Sequence, residues 1–540
     1  MAISKKRLSV SVAFSMLAIL AGLVFVYMRF IPKTFVVPDK YKTIGVAMAK
    51  AKAGDTIFVK AGTYEEGVNL KNGIRLVGEN MDEVVIQCAA ISRSVIFARD
   101  CRYVAISNLT FKHIGTDDRP GGKMAGVLIY NSSVEITDCK IANMAGNGFF
   151  IYGKSKVNIS NCTIQQNGSC GVKVEGKDTY ATIQDCKITN NGRSGIYVCK
   201  QARSKIERNT CEKNQDVGIS VTNQGTNVTL KGNHCYANNK NGMYFWGGAS
   251  GLVEDNICEK NRRTGIIVKD KGTKVTLKDN HCFDNNADGI CFWAGAAGES
   301  QNNTCRNNKE AGIFVTEPGT NVILTGNNCR KNGWDGIQFY SGASGLAKKN
   351  ICEKNGNSGI KISETNEPVV IEENWCWRNQ GSGIYIRNSS KATIRNNVCG
   401  DNDVYGILFT EGTQGYALEN VCEKNHYSGI VVSGKNTTAS LRSNLCTENN
   451  HSGIIFDDGA GGEAIANTCK SNPWSGIAVR DKGTNPALIT NQCNNNGAWG
   501  IISWAGAKPN IAVDNVTLGN YKDGIKARDK NSFQRVSINY

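Results

Sequence analysis

Asp457 and Asp458 are adjacent carboxylates within a regular repeat, and His426 and His451 fall in the two repeats before them. Paired carboxylates at a defined separation hydrolyse glycosidic bonds. A base beside a neutralised uronate carboxylate serves elimination or epimerisation. Adjacent acids on a turn are also commonly just solvated, so Asp457 and Asp458 are weak catalytic candidates. A second series has clearer spacing. Trp246, Trp293 and Tyr340 each stand four residues after a glycine of alternate repeats, and Asp270, Glu317 and Glu364 stand five after the glycine of the intervening ones. Aromatic faces stack on the apolar side of sugar rings, and carboxylates accept sugar hydroxyls. These six residues are the candidate carbohydrate-binding set, with rings about 9.6 Å apart if repeats stack as parallel strands. The competing reading is that the rings pack on each other or under a loop. Trp504, Asp481 and Asp529 continue the pattern after a register slip at the Gly383 repeat, where Thr410 and Asp457 take the aromatic position.

Sixteen cysteines, from Cys139 to Cys493, recur every 23 to 25 residues. No CxxC pair occurs, and His234 and His281 lie two repeats apart, so zinc spacing is absent. The spacing calls for neither metal nor cofactor. One sulfur per repeat suits a small buried hydrophobe, and stacked rungs do not bring Cβ atoms close enough for disulfides. Cys88, Cys101, Cys170, Cys199 and Cys291 lie off this ladder; the total of 21 is odd, so at least one thiol stays unpaired within the chain.

The elements that must position these residues follow from the same period. A glycine ladder runs from Gly148 to Gly524, and thirteen successive repeats carry Asn two residues before and three residues after the cysteine. Apolar residues alternate with polar ones in the segments between, as in Val275 and Leu277, which marks strands with one buried face. One supersecondary unit per repeat, too short for a helical hairpin, stacks into a solenoid. The expected fold is therefore all-β: a single-stranded right-handed parallel β-helix of 23–24-residue coils. Asn is expected at two corners, where it tolerates left-handed backbone and can bond from coil to coil. Gly is expected at a third, where the chain turns without a Cβ.

The stretch GDTIFVKAGTYEEGVNLKNGIRLVGEN, Gly54 to Asn80, resembles the opening coils of the pectin-lyase-like superfamily of right-handed β-helices. The downstream N-C--N---GI-V coils resemble carbohydrate-binding and sugar-hydrolase (CASH) repeats, which also occur in F-box-type proteins and in the periplasmic maturation factor of nitrous oxide reductase. The resemblance runs from Tyr41 to the C-terminus and implies fold more than activity. The Asp-Pro-His triplet of mannuronan epimerases is absent, as are the polygalacturonase and pectinesterase motifs.

The domains read as a short basic N-terminus (1–7), a transmembrane signal anchor (8–28), a linker (29–40), a cap with irregular first coils (41–147) and regular coils (148–540). Leu8 to Met28 is uncharged and apolar, long enough to span a bilayer, and follows Lys5, Lys6 and Arg7. A single-pass protein with its β-helix outside the cytoplasm, periplasmic or on the cell surface, is expected. Ile44, Ala47, Met48 and Ala51 have helical spacing and suit a capping helix; His113 to Gly126 reads as a polar loop. Net charge is +16. A basic protein in that location can lie against polysaccharide or cell-wall glycan, including anionic polymers, or lipid head groups, and nucleic acid is not expected. Three functions fit: non-catalytic polysaccharide binding along the aromatic and acidic face; a lyase, epimerase or hydrolase of acidic polysaccharide; and a structural or protein-binding scaffold.

Overall fold

A computed structural model describes residues 15–16, 31–89, 93–115, 125–511 and 514–528. The segment Leu8–Met28 lies, apart from residues 15 and 16, outside the described residues. Among the described residues no helix is long and apolar enough to cross a membrane. The chain divides into two compact units, residues 1–187 and 188–540.

In the first unit, Thr34–Val37 is a strand paired in parallel with Thr56–Val59, so part of the expected linker is sheet. The expected helix forms at Ile44–Lys50 and buries Ile44, Ala47 and Met48. Thr43 Oγ1 caps it by accepting from Val46 N, and the Glu66 carboxylate accepts from Ile44 N and Gly45 N at 2.8 and 2.7 Å. An acid at free N–H groups also suits the helix dipole. Strands Thr56–Val59 and Arg75–Gly78 continue the parallel ladder. His113, placed in a loop by the sequence, is buried in strand Thr110–Ile114, where its Nδ1 accepts from Ala145 N. Residues 116–124 of that segment lie outside the described residues.

The second unit repeats one coil. Asn227–Lys231 exemplifies the first sheet, His234–Tyr236 the second and Met243–Trp246 the third, each paired in parallel with its counterpart one coil on. The ladder cysteines pair in register, Cys235 with Cys258 and Cys258 with Cys282. Every cysteine of the chain is buried, and the ladder thiols from Cys235 to Cys493 form no disulfide. Burial pushes thiols such as Cys258 and Cys305 well above their ordinary range.

Both Asn ladders form, for a reason other than turn conformation. The left-handed residue is the one before each Asn, as at Asp255 and Lys260 (φ 56° and 52°). The Asn side chain bonds between coils, the other role expected of it. Asn280 Oδ1 accepts both the backbone N and the Nδ2 of Asn256 at 3.0 Å, while Asn280 Nδ2 donates to Val253 O at 2.8 Å. Asn261 and Asn285 repeat this at the other corner. The ladder glycines likewise serve close approach rather than a left-handed turn: a Cβ on Gly242 would lie 2.6 Å from Gly265 O and 2.9 Å from Cys258 Sγ.

The 47-residue double repeat has a packing cause. Alternate coils bury Phe245, Phe292 or Phe339, and a Cβ on Gly251 or Gly298 would lie 3.2 Å from the ring of Phe245 or Phe292. Intervening coils oppose two medium residues, as in Val268 and Val275. Large against small, or medium against medium, fills a narrow coil without voids.

Candidate functional site

The third sheet of the second unit presents two outward positions per coil. The second of these holds Trp246, Trp293 and Tyr340, with Lys269 and Thr316 between them in register. The rings thus occupy every second rung, as the spacing predicts. Trp293 is 37% exposed and the other two are half-buried. Each has a partner from its own or an adjacent coil. Tyr244 stacks on Trp246 at 6.0 Å, Phe314 on Tyr340 at 6.3 Å, and Lys269 Nζ stands 4.4 Å over Trp293.

The acids of the set lie at the turn that follows this sheet, where Asp270, Glu317 and Glu364 all have left-handed backbone. Asp270 Oδ2 accepts from Gly247 N at 3.1 Å. Glu364 accepts from Asn388 Nδ2 at 3.3 Å, and its charge and hydrogen bond push the Tyr340 phenol up. The six residues therefore share one border and one column of the same face. Trp504 holds the equivalent position but packs against an apolar cluster of Val431, Ile455, Ala478 and Ile502.

The opposite border carries acids that the sequence reading missed. Asp288 and Asp335 each precede a ladder glycine and are buried, 5% and 1% exposed. Their Oδ1 atoms accept from Ala311 N and Ser358 N at 3.1 and 2.8 Å. Asn241, one double repeat earlier, does the same for Thr264 N. A neutral amide suffices for that bond, so the two carboxylates bring a desolvation cost without a structural gain. Burial, helped by Glu310, raises Asp288 to about 7; burial, opposed by Lys361, raises Asp335 to about 6. Lys361 Nζ lies 4.0 Å from Asp335 Oδ2 and pairs in register with Tyr385, whose phenol burial pushes up. The signal was the Asn-to-Asp change at positions 241, 288 and 335.

Asp457 and Asp458 do not form a matched pair. Asp457 ends the strand Ile454–Asp457, is 5% exposed, and accepts from Arg480 Nη2 and Nε at 2.7 and 3.2 Å. Its Oδ1 is buried with no hydrogen-bond partner. Asp458 is exposed on the following turn, 3.4 Å from Ser433 Oγ. His451 stacks on Trp474 at 4.3 Å and His426 meets the Tyr427 ring edge-on at 5.3 Å. Burial holds His451 below the ordinary imidazole range, and Arg480 adds to this.

A family described as right-handed β-helix region matches residues 94–252, 177–329, 229–375 and 298–421. The chain belongs to this right-handed β-helix family. A second family, described as periplasmic copper-binding protein (NosD), matches residues 402–539 of the β-helix protein. No curated protein sequence matches it. Among solved structures, the Dettilon tailspike protein is 16% identical, with 55% of this chain and 67% of that one covered and a TM-score of 0.45. The A-module of the Azotobacter vinelandii mannuronan C-5 epimerase AlgE4 is 14% identical over 87% and 88%, with a TM-score of 0.23. Pectin methylesterase from carrot is 13% identical over 47% and 82%, with a TM-score of 0.29.

Proposed function

We propose that this right-handed β-helix protein works outside the cytoplasm and binds a glycan along the outer face of its third sheet, between Trp246 and Glu364. The observation that carries the reading is the single outward column of Trp246, Trp293 and Tyr340 at every second rung, bordered by Asp270, Glu317 and Glu364. Extended sugar chains offer apolar faces and hydroxyls at repeating intervals, which such a column matches. The match to a family described as periplasmic supports the location, as does the apolar run Leu8–Met28 after Lys5, Lys6 and Arg7. That run is proposed to anchor the chain as a single pass.

Asp270, Glu317 and Glu364 border the column and can accept sugar hydroxyls, whereas Lys269 and Lys361 lie on the face itself. A second reading, proton-transfer chemistry on a glycan, is favoured by Asp335 beside Lys361, with Tyr385 one rung on. Replacing Trp293 by Ala should weaken glycan binding by about 1 kcal/mol, roughly fivefold, with the unfolding midpoint unchanged because the ring faces out. Unchanged affinity with a lower midpoint would make the rings packing and favour the scaffold reading. Turnover of a bound glycan that Asp335→Asn abolishes would establish the catalytic one.

A further inference from the structure

The second sheet of the second unit carries a tryptophan pair on a different face from the column above. In strand Trp375–Trp377 the ladder residue Cys376 points inward and its neighbours point out. Trp375 is 52% exposed; Trp377 is half-buried, with the ring centroids 6.0 Å apart at 63°. In register, Trp375 lies between Ile351 and Val398, and Trp377 between Glu353 and Gly400. A Cβ on Gly400 would overlap the Trp377 ring. The coils before and after this pair carry Glu353 and Glu423 at the position of Gly400, so the coil itself does not require glycine there. Gly400 makes room for the ring.

The two indoles, with Ile351, Glu353 and Arg378, line a depression of about 330 Å³. Small-ligand sites span about 300–1,000 Å³ and combine apolar walls with a few convergent polar groups. Glu353 and Arg378 supply an acceptor and a donor fork at its edge. Arg378 is held by Asp401 at 3.3 Å through Nε, and Glu353 Oε1 is paired with Lys354 at 3.1 Å, which leaves each with further hydrogen-bonding capacity.

We propose that Trp375, Trp377, Glu353 and Arg378 form a binding site for one pyranose ring of a glycan, independent of the third-sheet face. The apolar side of the sugar stacks on Trp375 and Trp377 closes a second side. Sugar hydroxyls donate to Glu353 and accept from Arg378. Two walls set steeply to each other fit a thick saturated ring, whereas a flat base would use only one of them.

The test is calorimetric titration of the full-length chain, in a detergent without a sugar head group, with cellohexaose, chitohexaose and hexagalacturonate in turn. At least one should bind saturably. Trp375→Ala should weaken that binding at least fivefold with an unchanged unfolding midpoint. Gly400→Val, which displaces the Trp377 ring, should weaken it as well. Trp293→Ala should leave this binding intact, because that ring lies on the other sheet. No saturable binding by any of the three sugars, or a Trp375→Ala affinity within twofold of the parent, would overturn the proposal. Binding lost in Trp293→Ala but kept in Trp375→Ala would overturn it while supporting the third-sheet face.

Discussion

Phe409 and Gly415 meet across the core so closely that a methyl group on the glycine would overlap the ring at Cε1, while the next nearest atom, Ala392 O, is 3.1 Å away. The glycine exists to seat the ring. Gly415→Ala should therefore destabilise the protein by about 1–3 kcal/mol through overpacking. Adding Phe409→Val should restore part of the loss, since it recreates the medium-against-medium coil. Denaturant midpoints of the two single variants and the double variant measure the coupling.

Asp288 sets a pH dependence. Its native pKa is raised to about 7 by burial, so the folded state holds the proton more tightly than the unfolded state does. Stability from this group is complete below the unfolded value of about 4 and is lost as pH rises through about 7. Asp288→Asn should stabilise the protein at pH 8, by on the order of 3 kcal/mol, and make little difference near pH 3.5. Thermal melts across that range should show the parent curve falling and the variant curve flat in this contribution.

Asn308 anchors one rung of the second corner ladder: its Nδ2 donates to Cys282 O and Asn332 Oδ1, both at 3.0 Å, and its Oδ1 accepts from Asn285 N. Asn308→Ala leaves several buried partners unsatisfied and should cost on the order of 3 kcal/mol. Asn308→Asp keeps the acceptor but buries a charge, so its loss should shrink at low pH.

The thiol ladder should be chemically silent in the native state. Titration of native protein with an aromatic disulfide reagent should report almost no reactive thiol, and denaturation without reductant should release the chain's 21. Recovery of only one or two would mean disulfides. Cys305→Ser should cost about 1–3 kcal/mol, because a hydroxyl replaces a thiol in a dry stack.

Removing Arg480 would strand the buried Asp457. Because Arg480 is 43% exposed and screened by solvent, Arg480→Ala should destabilise by about 1–2 kcal/mol near neutral pH, and Arg480→Ala with Asp457→Asn should recover most of it.

The coil was legible because one period governs Cys235, Asn256 and Gly265 alike, and periodic burial survives without tertiary knowledge. The reasons behind the ladders were less legible. Asn280 was expected to favour a left-handed turn and to bond from coil to coil; its amide does bond two neighbouring coils, while Asp279 takes the left-handed turn. The aromatic column at Trp246, Trp293 and Tyr340 was found because outward positions follow from strand alternation. Asp288 and Asp335 were missed because burial at a corner depends on how the neighbouring coil closes over it, which no spacing reveals. Asp457 was read with Asp458 as a weak catalytic pair, against the alternative of solvated acids on a turn; its ion pair with Arg480, 23 residues away, exists only once the coils stack.

The Asn ladders of the second unit have a polarity. In the amide-to-amide bonds the N-terminal Asn donates and the C-terminal Asn accepts, as from Asn467 to Asn491 and from Asn491 to Asn515, while the same Nδ2 also donates back to the preceding coil, as from Asn491 to Ala464 O. The stack is therefore directional, and a coil inserted into it is bonded on both sides only if its own Asn gives one hydrogen forward to the next amide and one back to a carbonyl.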